Sequence, residues 1–230
     1  MRKKAKKVDE SARLRLKENA PSMEAYRILR TNIEFSRTIK PIKRILITSS
    51  VLGEGKSTTA ASLAKIFASG GTKTLIVDLD LRRPVQHRIL SVENSGGVME
   101  LLAGSISIDE AIKPTDTENL FLLNCGIKPP NPADMLSSGA LEKALEVFDE
   151  MFDIIILDSP PVAALADAAI ISRFADTTIL VVSAGKVEFQ DLDASLYNLK
   201  NSGASILGIV MNNITKASRG YKYYNYYNYY

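Results

Sequence analysis

Short, wholly apolar runs alternate along this chain with longer stretches of helical rhythm. Ile45-Leu46-Ile47, Thr74-Leu75-Ile76-Val77, Leu120-Phe121-Leu122-Leu123, Ile154-Ile155-Ile156-Leu157, Thr178-Ile179-Leu180-Val181-Val182 and Ile206 to Met211 read as strands. Apolar residues at successive positions mean burial on both faces. Residues 23–38, 59–68, 138–150 and 189–202 carry helical spacing, with Ile28, Leu29, Ile33 and Phe35 marking the first. Shorter helices fit 84–90 and Val98 to Ala103, separated by Gly96-Gly97, and Pro129-Pro130-Asn131-Pro132 reads as a rigid turn. Apolar strands alternating with helices predict an α/β fold: a mainly parallel sheet, helices on both faces, right-handed crossovers. Ligands in such sheets bind beyond the carboxyl ends of the strands. The segment after Ile47 and the residues Asp78, Asp158 and Asn212 all fall at those ends.

The first of these ends carries the strongest chemical signal. Ser50-Val51-Leu52-Gly53-Glu54-Gly55-Lys56-Ser57-Thr58 lies between a strand and a helix, the context of a P-loop. The glycines permit a tight turn whose N–H groups face one phosphate, and the following helix adds its positive end. Lys56 is placed to reach the outer phosphates, and the Ser57 hydroxyl to ligate Mg²⁺. Ser50 stands where the usual pattern has its first Gly.

Two acidic segments complete the pattern. Asp158, in Asp158-Ser159-Pro160-Pro161, ends an apolar strand and suits Mg²⁺ bound through water. Asp78-Leu79-Asp80-Leu81-Arg82-Arg83 places two carboxylates on one side of an extended segment. One can orient the metal while the other accepts a proton from an incoming hydroxyl. Arg82 or Arg83 can offset phosphate charge.

Composition narrows the classes. Cys125 is the only cysteine and His87 the only histidine, which fits a cytosolic protein and leaves little material for a His-rich metal site or a Ser-His-Asp triad. No run of about 18 apolar residues is available to span a membrane. Residues 1–17 hold eight Lys and Arg against Asp9 and Glu10, a net of +6, so the rest of the chain carries −3. The body is therefore no basic nucleic-acid surface, while the basic start is a solvated tail or a contact for anionic lipid. Three parts are expected: a flexible basic segment 1–20, a P-loop domain 21–213 and a flexible tail 214–230. That tail contains Tyr221, Tyr223, Tyr224, Tyr226, Tyr227, Tyr229 and Tyr230, seven of the nine tyrosines.

The P-loop, the Asp78-x-Asp80-x-Arg82 segment, Asp158-Ser159-Pro160-Pro161 and the tyrosine-rich end together resemble the bacterial protein-tyrosine kinases, which belong to the MinD/ParA-like group of P-loop ATPases. The resemblance runs from about Glu24 to Tyr230. It implies that Gly53, Glu54, Gly55, Lys56, Ser57 and Thr58 hold the phosphates of ATP, and that Ser57, Asp80 and Asp158 serve Mg²⁺. It implies that Asp78 and Asp80 are the Walker A′ carboxylates, one of them the base, and that Asp158 is the Walker B residue. Asn212 matches the Asn that reads the adenine edge, although Asn213 stands where Lys is common. Glu24, Arg27 and Arg30 match the Glu-x-x-Arg-x-x-Arg helix that packs subunits into a ring. The resemblance further implies tail phosphorylation in trans, control of capsule or exopolysaccharide synthesis and export, a transmembrane adaptor that activates the kinase at the inner face of the membrane, and a cognate tyrosine phosphatase. Two other readings stay open at this level. One is a MinD/ParA-like nucleotide switch that positions or scaffolds other proteins, against which stands Val51 at the site of that group's signature lysine. The other is a non-catalytic subunit of a larger assembly.

Overall fold

The computed structural model describes residues 20–163 and 165–214. The basic segment 1–19 and the tail from 215 onward, with all seven of its tyrosines, lie outside the described residues.

Seven strands form one sheet. In chain order the elements are α1 (Ala20–Ile39), β1 (Arg44–Ser49), α2 (Lys56–Ser69), β2 (Thr74–Asp78), α3 (Gln86–Ile89), α4 (Val98–Leu102), α5 (Ile108–Ala111), β3 (Ile112–Pro114), β4 (Leu120–Leu123), α6 (Pro132–Leu136), α7 (Ala140–Met151), β5 (Ile154–Asp158), α8 (Asp167–Ser172), β6 (Thr177–Ser183), α9 (Phe189–Asn201) and β7 (Ile206–Asn212). The spatial order is β3-β4-β2-β5-β1-β6-β7. All neighbours are parallel except β3 and β4.

The apolar runs are continuous because alternate residues feed two separate cores. Ile45, Ile47, Ile76, Ile154 and Ile156 pack with Ile33 of α1 and with Leu63 and Phe67 of α2. Leu46, Leu75, Val77, Ile155 and Leu157 pack on the opposite face with Leu145 and Phe148 of α7. Shifting any central strand by one residue would exchange these two sets.

Four short elements have little sequence signal. β3 is three residues long and ends in Pro114, which an edge strand tolerates because one side needs no ladder donor. α5, α6 and α8 have four to six residues, too few for a helical period to emerge. α5 did carry a readable start: Ser107 and Glu110 form a reciprocal capping box. α6 begins within the segment read as a rigid turn, with Pro132 in its first turn.

Candidate active site

Register brings the acidic segments together. Asp78 and Asp158 are paired residues at the ends of adjacent strands β2 and β5, and the Leu79 N–H donates to the Asp158 carbonyl at 2.8 Å. β1, on the other side of β5, delivers the P-loop to the same edge. A cleft of about 440 Å³ opens there, lined by Gly53, Gly55, Lys56, Ser57, Thr58, Asp80 and Arg83 among others.

Gly53 and Gly55 have φ of +77° and +92°, which supplies the turn and the left-handed residue before α2. A Cβ on Gly55 would fall 2.1 Å from Asn212 Nδ2. The loop is pinned from behind by Glu54, whose side chain is fully buried rather than turned to the cleft. Glu54 Oε2 accepts from the Val51 N–H at 2.8 Å and Oε1 from the Ser183 N–H at 2.9 Å. Asn212 Nδ2 donates to the Glu54 carbonyl at 2.9 Å, while its Oδ1 accepts from the Asn213 N–H at 2.8 Å. Lys186 Nζ reaches the Leu52 carbonyl at 2.6 Å. The ends of β6 and β7 thus fix the P-loop.

Inside the cleft the Lys56 ammonium sits among oxygens. It is 2.7 Å from Asp80 Oδ2, 3.1 Å from Ser57 Oγ and 3.7 Å from Asp158 Oδ1. Burial disfavours its charge, but Asp158, Asp80 and Asp78 outweigh that and hold its pKa above the ordinary lysine value. Asp158 is fully buried; Oδ2 accepts from Gln86 Nε2 at 2.7 Å, and Oδ1 accepts no hydrogen bond. Burial raises its pKa, with Lys56 and Gln86 pulling the other way. Asp78 lies deeper than Asp80: its Oδ2 accepts from the Val85 and Gln86 N–H groups at 3.0 and 2.9 Å. Burial and the neighbouring Asp158 push its pKa up to about 8.

These oxygens fit a hard cation. A hydroxyl and two carboxylates, one of them with a buried oxygen that accepts no hydrogen bond, surround a point now served by a lysine charge, and Mg²⁺ takes such oxygens together with water and phosphate. Ser57, Asp80 and Asp158 are the residues that would hold it.

Three supporting residues have no motif to announce them. Gln86 is fully buried and also donates to the Ser57 carbonyl at 3.0 Å, so one amide links the Walker A and Walker B segments. Asp167, buried at the start of α8, receives Arg82 through two bonds of 2.7 and 3.0 Å. Lys186 lies in an ordinary loop. Asp167 had a weak signal, an acid in the first turn of a helix.

On α1, Glu24 and Arg27 form an exposed ion pair at 3.1 Å. Arg30 turns toward α2 and donates to the Ile66 carbonyl at 3.1 Å. The three therefore do not share one free face.

Comparison with known proteins agrees with this geometry. A family model described as an AAA domain matches residues 42–206. Tyrosine-protein kinase YwqD of Bacillus subtilis is 39% identical over 200 residues, covering 87% of this chain and 84% of that one. This chain belongs to the bacterial tyrosine-protein kinases. Among solved structures, the chimerical protein CapA2B2 superposes with a TM-score of 0.83 at 34% identity, covering 87% of this chain and 88% of that one. The kinase domain of Escherichia coli tyrosine kinase ETK gives 0.82 at 31% identity, over 87% of this chain and 79% of its own. Tyrosine-protein kinase ptk of Acinetobacter johnsonii is 32% identical over 87% of this chain, a match spanning 27% of its own length. The septum site-determining protein MinD of Pyrococcus horikoshii, complexed with Mg-ADP, has a TM-score of 0.63 at 26% identity, over 74% of this chain and 69% of its own. The MinD-like P-loop fold and the kinase family both stand, and the positioning-ATPase reading is not favoured.

Proposed function

We propose that this bacterial tyrosine kinase transfers the γ-phosphoryl group of ATP to tyrosines 221–230 of a neighbouring copy, with Mg²⁺ as cofactor. The observation that carries it is the convergence of Lys56, Asp80 and Asp158 on one point beside a P-loop. Mg²⁺, when bound, neutralises phosphate charge as the phosphoryl group moves. The P-loop N–H groups bind the phosphates, and Lys56 exchanges its carboxylate partners for phosphate oxygen. The phenol oxygen forms a bond to the γ-phosphorus as the bond to the bridging oxygen breaks, and ADP leaves. The phenolic proton passes to a carboxylate. Asp78 and Asp80 are the two candidates for it: Asp80 lines the cleft, and Asp78, fully buried behind it, braces the loop through the Val85 and Gln86 N–H groups. Asn212 closes the adenine side while bracing Glu54.

The Glu24 and Arg27 face joins neighbouring subunits into a ring, and Arg30 anchors that face to α2. Relatives of the ptk kind carry most of their length outside the matched region. A transmembrane adaptor segment activates the kinase and holds it at the inner face of the membrane in this reading. No helix among the described residues is long and apolar enough to cross a membrane. Capsule or exopolysaccharide synthesis is the process served, with a tyrosine phosphatase resetting the tails. Incubation with γ-labelled ATP and Mg²⁺ tests the activity: label bound to tyrosine supports it, and release of free phosphate without protein labelling contradicts it.

A further inference from the structure

A second cavity, of about 490 Å³, opens on the same edge of the sheet, one strand beyond Asp78. Its walls are Met99 and Ala103 from α4 and its C-terminus, Ile127, Pro129 and Pro130 from the loop after β4, and Met135 from α6. The pairing of Val77 with Leu123 makes Asp78 and Asn124 leave the sheet side by side, so this loop starts next to the Walker A′ carboxylate.

The cavity is built rather than incidental. Glu100 ties its walls together, accepting from the Gly97 N–H at 3.0 Å and from the Ile127 N–H at 3.1 Å. Gly126 favours glycine because its φ is +74° and a Cβ there would fall 2.9 Å from the Gly97 backbone nitrogen as well as onto the Glu100 carboxylate. Yet Ile127 at its mouth is 71% exposed. Met, Pro and Ile walls with the polar Asn131 and Asp134 at hand suit an aromatic ring that carries a hydroxyl.

We propose that this cavity docks a tyrosine side chain of a second copy's tail, as an anchoring subsite next to the phosphoryl-transfer cleft. The proposal rests on the kinase reading above. The chain's end supports this occupant. β7 finishes on the same edge, and the 16 residues beyond Ile214 extend to roughly 50 Å. Five strand steps separate β7 from β4, roughly 24 Å within one subunit, which leaves length to cross to a neighbour. The tail repeats Tyr-Tyr-Asn from Tyr223, so equivalent tyrosines recur every three residues, about 10 Å apart when extended. One ring can sit in the cavity while another meets Asp80. Each phosphorylation turns a docking ring into a dianion that the apolar walls and the carboxylates of Glu100 and Asp134 disfavour, with Lys128 the one basic group of the lining, which moves the tail along.

The test uses the full-length chain with all seven tail tyrosines changed to serine, and a fluorescent peptide of residues 219–230 as probe. Ala103→Trp fills the cavity and Ile127→Glu charges its mouth; Val147→Glu, at an exposed position on α7, is the control. The peptide's Kd and KM should rise about tenfold or more in both cavity variants, the worth of ~1.4 kcal/mol of ring burial. Its kcat at saturation and the affinity for Mg·ADP should be unchanged, and the control should match the parent. Cavity variants that bind and use the peptide like the parent overturn the proposal while leaving the kinase intact. A parent that does not bind the peptide also overturns it, leaving the cavity to an adaptor segment. Peptide binding lost only in the cavity variants, with no phosphorylation by any chain, upholds the subsite and refutes the kinase reading.

Discussion

Lys56 Nζ lies 2.7 Å from Asp80 Oδ2, so the lysine proposed to bind phosphate rests against a carboxylate that it would have to leave when ATP arrives. Both groups are nearly excluded from water. The lysine compensates charges that Mg²⁺ and phosphate are expected to take over. Ser57, Asp80 and Asp158 would hold the metal, and the charge it supplies would free Lys56 for phosphate. Replacing Asp158 with Ala should weaken Mg²⁺ binding in the nucleotide complex tenfold or more, with metal-free ADP affinity within about twofold. Mg²⁺ titrations followed by fluorescent ADP will show whether the two effects separate; equal losses in both would contradict the assignment.

Gln86 is the residue on which that separation depends. Its amide donates to Asp158 Oδ2 at 2.7 Å and to the Ser57 carbonyl at 3.0 Å. Gln86→Leu should destabilise the protein by about 1–3 kcal/mol, the cost of leaving a buried acceptor unmet. Denaturant unfolding measures it. Saturating Mg²⁺ and ADP should recover part of the loss. A variant as stable as the parent would show that Gln86 carries no such load.

The buried Asp78 gives a signed pH effect. Its folded pKa of about 8 lies above the ordinary aspartate value, so between roughly pH 4 and 8 the native state keeps a proton that the unfolded chain releases. Stability at this group is full below that window and is lost as pH rises through it. Asp78→Asn removes the penalty while an amide oxygen still accepts from Val85 and Gln86. Thermal melts without ligand should show the variant gaining over the parent by a few degrees as pH rises from 4 to 8. A gap that shrinks over that range has the wrong sign for this account.

Arg82 and Asp167 should respond unequally. Asp167 is buried, whereas the Arg82 side chain is 40% exposed. Arg82→Ala removes both hydrogen bonds from a buried carboxylate, an effect of about 1–3 kcal/mol with the arginine itself part-solvated. Asp167→Asn leaves an arginine that can turn to water, and should cost clearly less. Urea unfolding of both variants decides it; equal losses would mean the pair acts only through packing.

What the sequence made legible was whatever repeats or recurs. Two-faced strands read as unbroken apolar runs, and Gly-x-Gly-Lys-Ser and Asp-x-Asp-x-Arg keep their spacing because the backbone itself forms the site. The missed parts act through side chains that meet only after folding. Gln86 is 29 residues from Ser57 and 72 from Asp158, and no local pattern marks a strut of that span. Glu54 was read with the phosphate loop, yet its carboxylate points into the protein toward Ser183. Arg30 shares a helical spacing with Glu24 and Arg27, but the packing of α1 on α2 turns it inward. Short α5, α6 and α8 depend on neighbours rather than on period.

Transfer between copies is tested by one mixing experiment. A full-length Lys56→Met chain, whose own rate should fall by about 10²-fold or more, serves as acceptor. The donor is a chain with intact Lys56 and all seven tail tyrosines changed to serine. After incubation with Mg²⁺ and ATP, intact-mass measurement and peptide mapping should find phosphate on tyrosines 221–230 of the Lys56→Met chain, and only when the donor is present. An unmodified acceptor, in a mixture whose donor binds and consumes ATP, would contradict it.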